Sequence, residues 1–336
     1  MKQPHRGPIF LAGADRSGTT LMSAILSSHP NIALARLGSN MFTFFFGKYG
    51  DLRQRENFER CLAALLKYKH VQILNPDPAR ICAEFWAGQP SYARLFALIQ
   101  DHFAEQQGRP RWGDKTSYIE RYADPILAAD PTAKFIHMVR DPRDRYTSSI
   151  AKYKRGRGKV GGATARWLYS IHLAQRNLKR YPDNYRIVRY ETLVAQPEAT
   201  IQAVCAFLGE AYDPAMLTLT GAEQFLKRGG NSSFDKHALS GISTAPLGRF
   251  RKVMSKGELA FMQAHVGREL LRLGYERAPV RFSLGERIAY GLRDWPANSV
   301  RMIVWRTLEA VQHNFPARFG RVPLHSENGA GEDGDN

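Results

Sequence analysis

Cysteine is scarce in this chain: Cys61, Cys82 and Cys205 are the only three among 336 residues. An odd number at wide spacing excludes a disulfide framework and any cysteine-based metal site, and it points to a reducing compartment. Long apolar runs are also missing. The densest aromatic cluster, residues 41–46, is far too short to cross a bilayer. At the basic N-terminus only Ile9 to Gly13 precede Asp15 and Arg16, less than a secretory signal needs, so a soluble cytoplasmic protein is expected. Acidic residues are few, 31 against 48 Lys and Arg, for a formal net charge of +17. That balance favours an anionic partner such as nucleic acid, anionic lipid, acidic glycan or a phosphorylated cofactor over charge that serves solubility alone. Much of the excess is local: Arg140, Arg143, Arg145, Lys152, Lys154, Arg155, Arg157 and Lys159 face only Asp141 and Asp144 within residues 140–159.

What is present is an alternation of elements. Extended runs at Ile9–Ala12, 111–113, Lys134–Val139 and 185–190 are separated by helical patterns, among them 58–68, 92–107 and 163–181. Such alternation predicts an α/β fold, a P-loop-like parallel sheet covered by helices on both faces, with ligands at the carboxyl ends of the strands. Residues 40–110 carry helical periodicity and no clear strand, which predicts a helical cap inserted between the first two strands. The core domain is expected over 1–278, followed by a basic helical extension over 279–321, interrupted at Pro296, and a disordered tail over 322–336. Two flexible loops are expected, a basic one at 154–162 and a Gly/Ser-rich one at 229–248. No internal repeat is present.

The most informative stretch is residues 8–22. A short apolar strand runs into Gly13-Ala-Asp-Arg-Ser-Gly18, and a helix with an apolar face of Leu21, Met22, Ile25 and Leu26 follows. A strand, a glycine-bounded loop and a helix N-terminus turn several backbone N–H groups toward one point, which suits phosphate or sulfate. The glycine spacing is that of a nucleotide P-loop, yet Thr19 stands where the P-loop lysine belongs, and Arg16 lies inside the loop. That lysine's absence, with no acidic strand end for Mg²⁺, argues against a P-loop kinase or NTPase.

Two further segments complete the pattern: 135–148, a buried strand ending at Arg140 with Ser148 in the following helix, and 190–197, which begins at Tyr190. With the loop, they resemble the sulfotransferases that use 3′-phosphoadenosine 5′-phosphosulfate (PAPS). The likeness runs in order over roughly 8–276. It is nearest the bacterial enzymes and the tyrosylprotein sulfotransferases, whose loop reads Pro-Arg-Ser-Gly-Thr-Thr. The resemblance implies that Ser17, Gly18, Thr19, Thr20 and Leu21 hold the 5′-phosphosulfate. Arg16 would stabilise charge growing on the bridging oxygen, and Lys115 would contact the sulfuryl group. It implies a 3′-phosphate site at Arg140 and Ser148, with Lys152 one helical turn on. Tyr190 matches the adenine-contacting tyrosine, and Arg249 in 247–252 matches a basic loop closing over the nucleotide. The product would be 3′,5′-adenosine bisphosphate, and no metal is implied. The acceptor is expected to be a hydroxyl or amine of a glycan, lipid-linked glycan or peptide, with no nucleic acid.

One departure stands out. Aligned on His29-Pro30, the family's basic glutamate falls at Arg36-Leu37. The general base is then open among Asp114, Glu120, His172 and His237, with Asp114, beside Lys115, nearest to the chemistry. The same departure allows a non-catalytic nucleotide-binding protein of this fold. Phe42, Phe44, Phe45 and Phe46 read as core or cap packing rather than an acceptor platform. Arg281, Arg287, Arg293, Arg301 and Arg306 read as a solvated helix face, with a contact to anionic lipid or an oligomer partner as the minority reading.

Overall fold

In a computed structural model the described residues are 6–116, 118–152, 159–219 and 242–319, with the side chain of Lys152 outside the description. Most of the two loops, the tail and His237 lie outside those residues as well. Five strands form one parallel sheet: β1 (Ile9–Ala12), β2 (Ile32–Leu34), β3 (Arg111–Lys115), β4 (Lys134–Val139) and β5 (Tyr185–Arg189). Their order is β2-β3-β1-β4-β5. Leu11 is in register with Lys115 on one side and Ile136 on the other. The chain leaves β1 in one direction along the sheet and returns on the other side, which makes the carboxyl end of β1 the switch point where ligands bind.

Side chains alternate along each strand, and both faces are buried. Ile9, Leu11, Ile136 and Met138 join the helices Thr19–Ser27 and Pro197–Leu208 on one face. Phe10, Ala12, Trp112 and Phe135 face the helical insertion and the helix Tyr92–Gln106 on the other. A third cluster packs Val139, Tyr146 and Trp167 against the helices Lys256–Arg272 and Trp295–Asn314.

Two expectations need correction. The strand β2 was not foreseen, so the insertion lies between the second and third strands rather than the first two. Its three residues are too few to show an alternation. Tyr190 does not continue β5; it opens the helix Tyr190–Ala195. The insertion is continuous with the core: Phe42 meets Phe10 edge-on at 6.2 Å and Phe96 at 4.9 Å. The aromatic cluster therefore serves packing, as its composition suggested.

Candidate active site

Three left-handed residues shape the loop after β1: Gly13 at φ 124°, Arg16 at 66° and Gly18 at 93°. Gly13 sits against β4, where a Cβ would come within 2.4 Å of the Met138 carbonyl oxygen. Gly18 sits against Tyr190, where a Cβ would come within 2.4 Å of ring carbon Cδ2. Only glycine meets both the conformation and the space at these two positions. Gly18 is the N-cap of the helix Thr19–Ser27, no side chain caps that end, and its first turn holds no acid. The first amides therefore point out of the loop with the positive end of the helix dipole behind them.

The loop rests on a buried polar relay. The Gly13 amide donates to Glu120 Oε2 at 3.4 Å, Ser170 Oγ donates to Glu120 Oε1 at 2.6 Å, and His137 lies 3.2 Å from that hydroxyl. The His137 ring also meets the Tyr185 hydroxyl at 2.6 Å. Burial holds the His137 ring below its ordinary pKa, against the pull of Glu120. Glu120 thus supports the loop from beneath.

Residues distant in sequence converge on this loop. Arg16 Nε donates to Ser148 Oγ at 3.0 Å, and Arg140 reaches the Arg16 carbonyl at 3.4 Å and the Pro246 carbonyl at 3.0 Å. The Arg140 guanidinium lies over the Tyr190 ring, 4.5 Å from its centre. Buried at 3% exposure, Arg140 leaves its Nε with no hydrogen-bond partner among the described residues. Tyr190 is fully buried, wedged between Gly18 and Arg140, so it packs beneath the loop instead of presenting an open ring face.

The segment carrying Arg249 is tied to the same place. Asp144 accepts from the Gly248 amide at 2.7 Å and the Phe250 amide at 3.0 Å. Burial raises the Asp144 carboxyl above its ordinary pKa although both amides pull it down. Half-buried Arg249 donates from Nε to the Ala245 carbonyl at 3.1 Å. Two other acids nearby are occupied by other arginines: Asp141 pairs with Arg143 at 2.6 Å, and Asp15 pairs with Arg145. Ser17 is buried below the loop, while Thr19 is half-buried and Thr20 exposed at its mouth.

Lys115 ends β3 beside β1, and the segment after β2 crosses directly over it: a Cβ on Gly38 would fall 1.4 Å from the Lys115 carbonyl oxygen. Exposed Arg36 and half-buried Leu37 sit at this crossing. Asp114 holds the crossing in place. It accepts from the Ser39 amide at 2.9 Å, the Ser39 hydroxyl at 2.7 Å and the Thr116 hydroxyl at 2.8 Å, with 4% of its surface exposed. A carboxylate buried under three donors anchors a turn, which leaves it poorly suited to taking a substrate proton.

His172 lies elsewhere. It lines a cleft of about 460 Å³ between the helices Val160–Arg180 and Trp295–Asn314, 3.7 Å from Glu269.

A histidine that sequence reasoning passed over does reach the crossing. His70, in the short helix Lys69–Gln72 of the insertion, places Nδ1 2.7 Å from the Gly38 carbonyl, with the Asn40 side-chain amide 3.2 Å from the same nitrogen. Its ring stacks on buried Tyr68 at 4.9 Å. Nδ1 thus has a carbonyl acceptor and an amide donor within reach, and the ring's tautomer sets which of the two it pairs with. No motif surrounds His70; the only sign of it was the glutamate missing at Leu37. Among the described residues no group of His, Cys, Asp and Glu could hold a metal ion.

A family model with the description Sulfotransferase family matches residues 8–214. A protein-tyrosine sulfotransferase of Drosophila melanogaster is 26% identical over 222 residues, 62% of this chain and 39% of that protein. The nodulation protein NoeE of Sinorhizobium fredii is 26% identical over 294 residues, covering 80% of this chain and 66% of its own length. The chain thus spans less than half of the first relative and about two thirds of the second. Among solved structures, the sulfotransferase domain of the Synechococcus olefin synthase superposes with a TM-score of 0.55 at 23% identity, over 83% of this chain and 99% of that domain. The sulfotransferase domain of the curacin biosynthetic pathway gives a TM-score of 0.53 at 20% identity, over 83% and 100%.

Proposed function

Because the chain belongs to the sulfotransferase family, we propose that it transfers a sulfuryl group from PAPS to a hydroxyl or amine acceptor. The observation that carries this reading is the convergence of Arg16, Ser148 and Arg140 on one loop. A donor with a 5′-phosphosulfate and a separate 3′-phosphate needs two anion pockets on one scaffold. The uncapped helix end with Ser17, Gly18, Thr19, Thr20 and Leu21 fits the first. Arg140, whose buried Nε lacks a partner among the described residues, fits the second together with Ser148, and Lys152 follows one turn later in the sequence. Arg249 fits the wall that closes over the nucleotide, and Tyr190 backs Arg140 and Gly18.

PAPS supplies the activated sulfuryl group and a phosphate leaving group. We assign to Arg16 the negative charge that grows as that bond breaks, and to Lys115, at the neighbouring strand end, a contact with the sulfuryl group. Preorganised cations of this kind contribute roughly 10²–10³ in rate. His70 takes the acceptor proton and, with Nδ1 against the Gly38 carbonyl, stays oriented over the crossing beside Lys115. Asp114 positions that crossing. The helical insertion borders the acceptor side, and a glycan, lipid-linked glycan or peptide is the acceptor we assign to it.

Incubation with radiolabelled PAPS and a panel of such acceptors tests the reading. Labelled sulfate should appear on at least one acceptor class with release of 3′,5′-adenosine bisphosphate. Tighter binding of ATP-Mg²⁺ than of the bisphosphate would overturn it.

A further inference from the structure

The helices at the C-terminal end expose an apolar stripe. Leu284 is 78% exposed, Leu292 80%, Ile303 62% and Leu308 55%. On the helix Trp295–Asn314 the buried positions are Asn298, Met302 and Glu309. At 3.6 residues per turn, Val300, Ile303, Val304 and Leu308 fall on the opposite side, facing solvent. Leu284, Ile288 and Leu292 recur every four residues upstream, on a stretch whose first helix, Leu284–Ala289, buries nothing. The π-helical turn Tyr290–Asp294 carries the chain from one helix into the next without a break. Arg301 and Arg306 border the stripe on its two sides along the long helix, and Arg287 and Arg293 recur upstream.

We propose that this stripe is a docking surface for an anionic lipid bilayer, lying in the plane of the interface. Apolar side chains flanked by arginines match the acyl boundary below and lipid phosphates beside it. No helix of the described residues is long and apolar enough to cross a membrane, so the stripe lies on the bilayer rather than through it. A second copy of the chain fits less well. The acids of this region are already engaged: Glu286 with Lys256, Asp294 with Arg293, and Glu309 with Arg121 in the interior. Two copies placed stripe to stripe would set arginines against arginines with no unpaired acid among the described residues of these helices to separate them.

The test is cosedimentation of the full chain with vesicles of phosphatidylcholine alone and of phosphatidylcholine mixed with phosphatidylglycerol. Binding should require the anionic lipid and weaken with added salt. Leu292→Glu and Ile303→Glu should each lower the bound fraction about tenfold. Arg287→Gln and Arg306→Gln should each lower it about fivefold on anionic vesicles only. Circular dichroism and bisphosphate binding equal to those of the unmodified chain would show that the variants fold. The proposal is overturned if the unmodified chain stays in the supernatant with anionic vesicles, or if the glutamate variants sediment as well as it does. A concentration-dependent dimer that Leu292→Glu abolishes, with no vesicle binding, would assign the stripe to a second copy instead.

Discussion

Arg16 and Ser148 are hydrogen-bonded at 3.0 Å, although the loop after β1 and the helix after β4 lie 132 positions apart in the chain. One contact thus ties the residue assigned to the leaving phosphate to the residue assigned to the 3′-phosphate. Arg16→Ala should lower kcat by roughly 10²–10³, while Arg16→Lys should retain part of the rate. Ser148→Ala should loosen the 3′,5′-adenosine bisphosphate by a few-fold, read by calorimetry, with a smaller effect on kcat. If Arg16→Ala transfers sulfate as fast as the unmodified protein, the mechanism fails.

Gly18 tests the cradle without touching a charge. A methyl there meets the Tyr190 ring and forces a left-handed backbone on a residue with a Cβ. Gly18→Ala should cost about 1–3 kcal/mol of stability and weaken bisphosphate binding at least tenfold. Thermal unfolding and calorimetry on the same sample check both, and an unchanged affinity would separate the loop from the nucleotide.

His70 makes a claim about the rate of transfer rather than about nucleotide affinity. His70→Gln should remove most of the rate while bisphosphate affinity stays within a few-fold. His70→Glu should restore part of the rate, because a carboxylate also accepts a proton. A rate for His70→Gln within a few-fold of that of the unmodified enzyme would assign the base to another group.

The relay under the loop predicts an acid weakness. The His137 ring is held below its ordinary pKa in the folded chain. On unfolding it takes a proton more readily, so its contribution is full above the unfolded pKa, about 6.5, and is lost as pH falls below it. The melting temperature should therefore drop between about pH 7 and 5, and His137→Gln should flatten that drop. A slope unchanged in the variant would place the acid sensitivity elsewhere.

Glu309 fastens the C-terminal helix to the body through Arg121, both at most 4% exposed. Glu309→Leu leaves a buried guanidinium without its carboxylate and should cost about 3–5 kcal/mol by chemical denaturation. Replacing Arg121 and Glu309 together with apolar residues should recover most of the loss, which a mere packing defect would not.

The parts of this molecule written in contiguous residues could be read in advance. The strand, glycine loop and helix of residues 9–27 needed no tertiary information, and neither did the strand ending before Arg140. Elements defined by distant neighbours could not be read that way. Three residues of β2 carry too little pattern, and the π-helical turn Tyr290–Asp294 carries the chain past Pro296, so the expected interruption is a widened turn rather than a break. Asp114 looked like a free carboxylate beside a lysine until Ser39, 75 positions away, supplied two of its three donors. His70 joins the site only because the insertion folds back over Gly38.

The two amides that Asp144 gathers from Gly248 and Phe250 bear on where the working unit ends. The family match stops at residue 214, yet the carboxylate beside Arg140 is satisfied from more than thirty residues beyond it. A fragment cut at the match would keep the whole sheet and lose the donors of a buried acid beside the proposed nucleotide pocket. The smallest competent piece of this chain therefore extends past Phe250, and truncations meant to isolate the catalytic unit should be placed accordingly.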